Sequence, residues 1–130
     1  MPVAATEVLE VQEISGVLVI RVEPRRLFLE TAEAFRDELL RIVQGASSNV
    51  VVDLTKVNVM NSSALGALIL ASDTLRKRGL KLILANPGPV LRQVLARTKL
   101  DTILTVLPSL EEALSFASEK TESAPRPVDS

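Results

Sequence analysis

Residues 49–70, NVVVDLTKVNVMNSSALGALIL, constrain the fold most, because a strand pattern there turns into a helix pattern along one continuous stretch. The β-branched run at residues 50–52 predicts a buried strand. A polar segment follows it and leads into an apolar helix. Ser62 and Ser63 stand at the mouth of that helix. If the chain has a functional site, we expect it at this junction.

The rest of the chain repeats this alternation of strands and helices. Two β-branched runs around a Gly-bearing turn predict a hairpin within residues 6–22, and the remaining pattern reads α-β-α-β-α-β-α. Parallel strands need crossovers, which the helices supply, while the hairpin adds an antiparallel strand. We therefore predict an α/β fold with one mixed, mostly parallel sheet of about five strands and four helices.

Local signals predict where the helices begin. Thr31 is the predicted N-cap of the first helix, and either Asn61 or Ser62 can cap the second. Ser109, with Glu112 three residues later, fits a capping box for the last helix. These roles are structural, and by spacing alone the serines at the junction simply start a helix.

Composition excludes much chemistry. The chain has no His, Cys, Trp or Tyr, so imidazole and thiolate catalysis and metal sites are excluded, and we expect no metal, no cofactor and no enzyme. With 15 basic and 16 acidic residues, nucleic acid is a disfavoured partner. No apolar run reaches the roughly 18 residues of a membrane span, and the N-terminus lacks the pattern of a signal peptide. A cytoplasmic protein is the expectation.

A phosphorylated serine is physically compatible with this junction. At a helix N-terminus a phosphate meets unpaired backbone N–H groups and the positive end of the helix dipole. The same dianion repels an acidic partner and is poorly tolerated in an apolar interface. A surface that binds when bare and releases when phosphorylated is therefore possible, although the spacing does not require it.

Residues 53–66, DLTKVNVMNSSALG, resemble the signature of the STAS domain and are most similar to anti-sigma factor antagonists of the SpoIIAA and RsbV type. The family pattern is a strand ending in Asp-Leu, a short link, and Met-Asp-Ser-Ser/Thr-Gly-Leu-Gly at a helix start. A second stretch, residues 85–114, also resembles the family, and the likeness extends over residues 8–116. It implies one STAS domain over residues 6–118, with the helices mainly on one side of the sheet. Residues 119–130 are expected to form a flexible polar tail.

The resemblance also implies a function. Ser62, with Ser63 as second choice, would be phosphorylated by a kinase that is also the anti-sigma factor, and a PP2C-type phosphatase would reverse the modification. The unphosphorylated chain would bind the kinase and so free the sigma factor. The predicted partner-binding residues surround the junction: Arg25, Arg26, Asn61, Ser62, Ser63, Ala64 and Leu65.

The chain departs from the family pattern at three places. Asn61 replaces the acid before the serine, Ala64 replaces the following Gly, and residues 23–27, EPRRL, stand where the family has Gly-x-Leu/Ile-Asp. The junction is therefore less negative, and Arg25 or Arg26 is expected to hold a phosphate on Ser62. The alternative is a STAS adaptor or scaffold that is not phosphorylated, for example in a lipid-transport ABC system.

Overall fold

The secondary structure alternates as the sequence predicts. The computed structural model describes residues 2–5 and 8–119, with side chains for residues 8–118. The elements in chain order are β1 (Pro2–Ala5), β2 (Leu9–Ile14), β3 (Val17–Val22), β4 (Arg26–Leu27), α1 (Leu29–Gln44), β5 (Val50–Asp53), β6 (Val59–Met60), α2 (Ser62–Arg76), β7 (Leu82–Ala85), α3 (Pro89–Arg97), a short 3₁₀ helix (Leu100–Thr102), β8 (Thr105–Leu107) and α4 (Leu110–Glu119).

Six strands form a mixed sheet in the order β1-β2-β3-β5-β7-β8. The first two pairings, β1 with β2 and β2 with β3, are antiparallel, whereas β3, β5, β7 and β8 run parallel. The prediction of a mixed, mostly parallel α/β sheet is confirmed, and β1 adds one edge strand N-terminal to residue 6. A separate two-stranded ladder joins β4 to β6. The proposed boundary at residue 6 stays a prediction.

Both faces of the sheet are covered by helices. Apolar residues of α1, α2 and α3 share one large buried cluster with one face of the sheet. On the opposite face Ala113 and Ala117 of α4 pack over Val19 and Val51. Three of the four helices therefore lie on one side, as the resemblance implies. All four residues of β5 and of β7 are buried, which is typical of parallel strands covered on both faces.

The ends of two helices test the capping predictions. Ser109 Oγ accepts a hydrogen bond from Glu112 N at 3.1 Å, so the predicted cap of α4 is confirmed. Thr31 is not the N-cap of α1, because that helix begins at Leu29 and Phe28 is its N-cap. Thr31 instead acts from the third helical position, where its Oγ1 accepts a hydrogen bond from Phe28 N at 3.0 Å.

Two further expectations concern the ends of the chain and the membrane. The expected polar tail lies outside the described residues except for Glu119, which ends α4. Over the part of the chain that the structure describes, no helix has both the length and the apolar character needed to cross a bilayer.

We predict that burial, not helix composition, determines how α2 contributes to stability. Leu68 is fully buried and Leu70 on the same helix is 46% exposed. Leu68→Ala should lower the free energy of unfolding by about 2–5 kcal/mol, because it removes packed methyl groups and leaves a cavity. The matched control Leu70→Ala should change it by less than about 0.5 kcal/mol. Urea unfolding followed by circular dichroism measures both, and equal effects would contradict the packing described here.

Candidate functional site

All four helices begin at one edge of the sheet, beyond the carboxyl ends of the parallel strands, and α1, α2 and α3 lie on the same face. Helix α1 follows β4, α2 follows β6, and α3 follows β7 after a three-residue loop. Since β4 and β6 pair in parallel, the N-termini of α1 and α2 are direct neighbours. This is the edge where open α/β folds hold their binding loops.

The β4–β6 ladder brings the arginine segment to the serine junction. Leu27 is opposite Met60 in the ladder. Asn58 N donates to Arg25 O at 2.7 Å, and Asn61 N donates to Leu27 O at 3.0 Å. The backbone that carries the two arginines is therefore fixed alongside the backbone that leads into α2. The sequence-based expectation that these segments lie together agrees with this pairing.

Asn61 starts α2. Its backbone is extended, with φ −82° and ψ 177°, and its Oδ1 accepts a hydrogen bond from Ala64 N at 3.0 Å. Of the two candidate caps that the sequence left open, Asn61 is thus the one used. Ser62 and Ser63 become the first two helical residues. Both are exposed, and their hydroxyl groups make no hydrogen bond to any residue that the structure describes.

The other predicted partner-binding residues differ in exposure. Arg25 and Arg26 are exposed, and Asn61 and Leu65 are half-buried. Ala64 is fully buried, so its side chain supports the helix from beneath and is not available for a partner to touch. The surface around Ser62 is therefore formed by the serines, the arginine segment and the outer side of Leu65.

The basic groups at the two ends of α2 have different roles. At its C-terminal end Arg76 and Lys77 form ion pairs with Asp73 and lower the pKa of that carboxyl group below its usual value, with the Arg76 hydrogen bond as the largest cause. At the other end, Arg25 and Arg26 form no ion pair within residues 8–118. Their charges are thus free to act on a ligand, and the first turn of α2 contains no acid.

A hydrogen-bonded cluster that sequence reasoning missed fixes the loop before β6. Asp53, which is 8% exposed, accepts hydrogen bonds from Thr55 N and Thr55 Oγ1 and lies 3.5 Å from Arg21 Nε. The Thr55 hydroxyl also accepts from Asn86 Nδ2 at 3.1 Å. The cluster links the loop after β5 to the loop after β7. Asp-x-Thr after a strand is an Asx-turn pattern, and that signal was available in the sequence.

Phe28 and Leu29 also lie at this edge, although no motif in the sequence assigns them a role. Phe28 is 48% exposed and Leu29 is 75% exposed. Leu29 has a positive φ of 50°, a left-handed conformation that costs a residue with a Cβ roughly 1–2 kcal/mol.

Comparison with known proteins identifies the family. The sequence profile of the STAS domain matches residues 8–113, and the chain belongs to this family. Among solved structures it is similar to an anti-sigma-factor antagonist (STAS) domain protein from Planctomyces limnophilus. The two share 25% identity and a TM-score of 0.74, over 85% of this chain and 98% of that one. It also shares the fold of the Bacillus cell fate determinant SpoIIAA in its phosphorylated form, with 23% identity and a TM-score of 0.62, over 82% and 96% of the two chains.

A second kind of relative is much longer. High affinity sulfate transporter 1 of Stylosanthes hamata is 29% identical over 103 residues, which is 71% of this chain but 15% of the transporter. The chain thus spans less than a fifth of that relative's length. The match is confined to that short segment of the transporter.

We predict that Asn61 caps α2 through the hydrogen bond that its side-chain oxygen accepts. A charge at this position is not needed for the cap. Asn61→Ala should lower the free energy of unfolding by about 1 kcal/mol, because Ala64 N loses its hydrogen-bond acceptor. Asn61→Asp keeps an acceptor in the same place and should not destabilise the chain. Urea denaturation of the three proteins measures this. Equal losses in both variants would contradict the capping role.

The Asp53 cluster leads to a further prediction. Thr55→Val should destabilise the chain by about 1–2 kcal/mol, because Asp53 and Asn86 each lose a partner. Amide exchange in residues 58–61 should also become faster, since the loop loses its anchor. Thr102→Val is the matched control, because that exposed hydroxyl bonds only to Lys99 O nearby in the chain. If exchange in residues 58–61 stays the same in Thr55→Val, the cluster does not anchor this loop.

Proposed function

We propose that this chain is an anti-sigma factor antagonist of a partner-switching system and acts as a regulator, not an enzyme. It binds an anti-sigma factor that is also a serine kinase, and phosphorylation of Ser62 releases it. A PP2C-type phosphatase restores the binding form. The observation that carries the proposal is the exposed Ser62 hydroxyl, which is held at the start of α2 by the Asn61 cap and makes no hydrogen bond within the described residues.

The fold is well suited to a phosphate on Ser62. The first N–H groups of a helix have no partner within it, and the helix dipole favours an anion there. Arg25 and Arg26 lie on the segment that the β4–β6 ladder fixes alongside the junction. Guanidinium groups are strong phosphate ligands. These features support a phosphorylated form that is folded and held by charge-assisted hydrogen bonds.

The bound form is poorly suited to the same phosphate. A phosphoserine adds a charge of about −2, and at the centre of an interface that charge must be stripped of water. An acidic partner surface would also repel it. Phosphorylation thus weakens the complex while the free protein keeps its structure, which is what a reversible switch requires. Ser63 is the second choice, because it is also exposed but lies about 100° further around the helix.

The test is a binding measurement combined with phosphosite mapping. The kinase partner is captured from source cells on the immobilised wild-type chain, identified, and produced as a pure protein for calorimetry. We expect Ser62→Asp to weaken binding about tenfold or more, because it places a charge in the interface. Ser62→Ala should bind like wild type and resist phosphorylation.

Two further variants serve as controls. Ser63→Asp tests the second candidate serine. Ser47→Asp places the same charge on an exposed residue before β5, at the opposite edge of the sheet, and should leave binding unchanged. The proposal fails if phosphate is never found on Ser62 in cells with and without stress, and if Ser62→Asp binds as tightly as wild type.

A second candidate is a STAS adaptor or scaffold that is not phosphorylated, such as a subunit of a lipid-transport ABC system. The similarity to a segment of a sulfate transporter favours it, as does the replacement of the family's acid by Asn61. In that case a membrane transport complex with an ATPase should co-purify with the chain. Its recovery should be the same for wild type and Ser62→Asp.

A further inference from the structure

Two large apolar side chains project from the edge where Ser62 lies. Phe28 and Leu29 directly follow β4, just as Asn61 and Ser62 directly follow β6. Because Leu27 is opposite Met60 in the parallel ladder, the chain leaves both strands at the same level. A partner centred on Ser62 therefore reaches Phe28 and Leu29 as well.

Phe28 and Leu29 both carry an energetic cost in the structure of the free chain. Phe28 is the N-cap of α1 but has no side-chain acceptor for the free N–H groups of the helix. Leu29 has the left-handed backbone that suits glycine or asparagine. Thr31 compensates only in part, by accepting a hydrogen bond from Phe28 N. Phe28 is about half exposed and Leu29 about three-quarters exposed, so a large apolar surface is left in water.

The charges next to this pair indicate what it binds. Arg25 and Arg26 precede it by two or three positions, are exposed, and have no ion-pair partner among residues 8–118. Arginine is among the residues that most often dominate a binding energy, and phenylalanine is enriched at the cores of interfaces. A surface complementary to this segment combines an apolar pocket with an acidic rim.

We propose that Phe28 and Leu29 are specificity-determining residues that insert into an apolar pocket of the protein partner, whose acidic rim pairs with Arg25 and Arg26. The inference rests on the proposed function, since the partner is the kinase that Ser62 controls. It adds a mechanism for release. A phosphate on Ser62 draws the arginines to itself, so the acidic rim loses its counter-charges when the switch is set.

Substitutions at Phe28 and Leu29 separate binding from stability. Phe28→Asp supplies a capping acceptor and Leu29→Gly relieves the left-handed strain, so each should raise the thermal midpoint of the isolated chain by several degrees. Each should also weaken binding of the recombinant kinase about tenfold or more. Phe28→Leu keeps an apolar side chain and should retain most of the affinity. A residue with only a structural role would not combine higher stability with lower affinity.

The chain offers a matched control. Ile103 is 64% exposed and precedes β8 at the opposite edge of the sheet. Ile103→Asp makes the same kind of change at a distant apolar position and should leave the affinity as it is in wild type. Arg25→Glu combined with Arg26→Glu should weaken binding and flatten its dependence on salt.

The outcomes distinguish this inference from the proposed function. If Ser62→Asp weakens binding and Phe28→Asp does not, the switch stands and the inference is overturned. If Phe28→Asp weakens binding and Ser62→Asp does not, the inserted pair stands and the switch fails. Sedimentation of the isolated chain tests whether a second copy of this chain, and not the kinase, covers Phe28 and Leu29. If wild type self-associates and Phe28→Asp abolishes this, the pair belongs to an interface between copies, and the inference is again overturned.

Discussion

The burial of β5 between β3 and β7 is the constraint on which the rest of the structure depends. Its four residues are buried, and it pairs in parallel on both sides. Parallel neighbours require crossover connections, so helices must cover the faces and the chain must leave each parallel strand at the same edge. The helix N-termini collect there for that reason, and mobile or functional loops can be held on a rigid base.

Two short features fix the loops at the carboxyl edge of the sheet and so define the surface around Ser62. The β4–β6 ladder contributes only two residues from each strand, yet it fixes the arginine segment beside the serine junction. The Asp53 cluster then holds the loop that leads into β6. The surface is thus specified by a few hydrogen bonds added to a large apolar core, and polar changes can alter the surface while the core keeps the fold.

Sequence reasoning succeeds here where a pattern is long and local. The β-branched run of β5 and the apolar periodicity of α2 predict their elements directly, and the residue types at the junction predict Asn61 as one of two candidate caps. It fails for β4 and β6, because a two-residue strand has no periodicity and exists only through its partner. It also fails at Thr31, whose hydroxyl works from inside the helix while Phe28, with no polar side chain, occupies the cap. The roles of the site residues remain predictions that binding measurements must decide.

The convergence of helix N-termini at one edge, together with Arg25 and Arg26, which form no ion pair within residues 8–118, also has a kinetic consequence. Aligned positive dipole ends and guanidinium groups create a field that extends into solvent by about a Debye length, near 8 Å at physiological salt. Such a field accelerates encounter with an acidic surface before any contact is made. A dianion placed at its centre would cancel part of that field, so under the proposed function phosphorylation of Ser62 would slow the search for a partner as well as shorten the life of the complex.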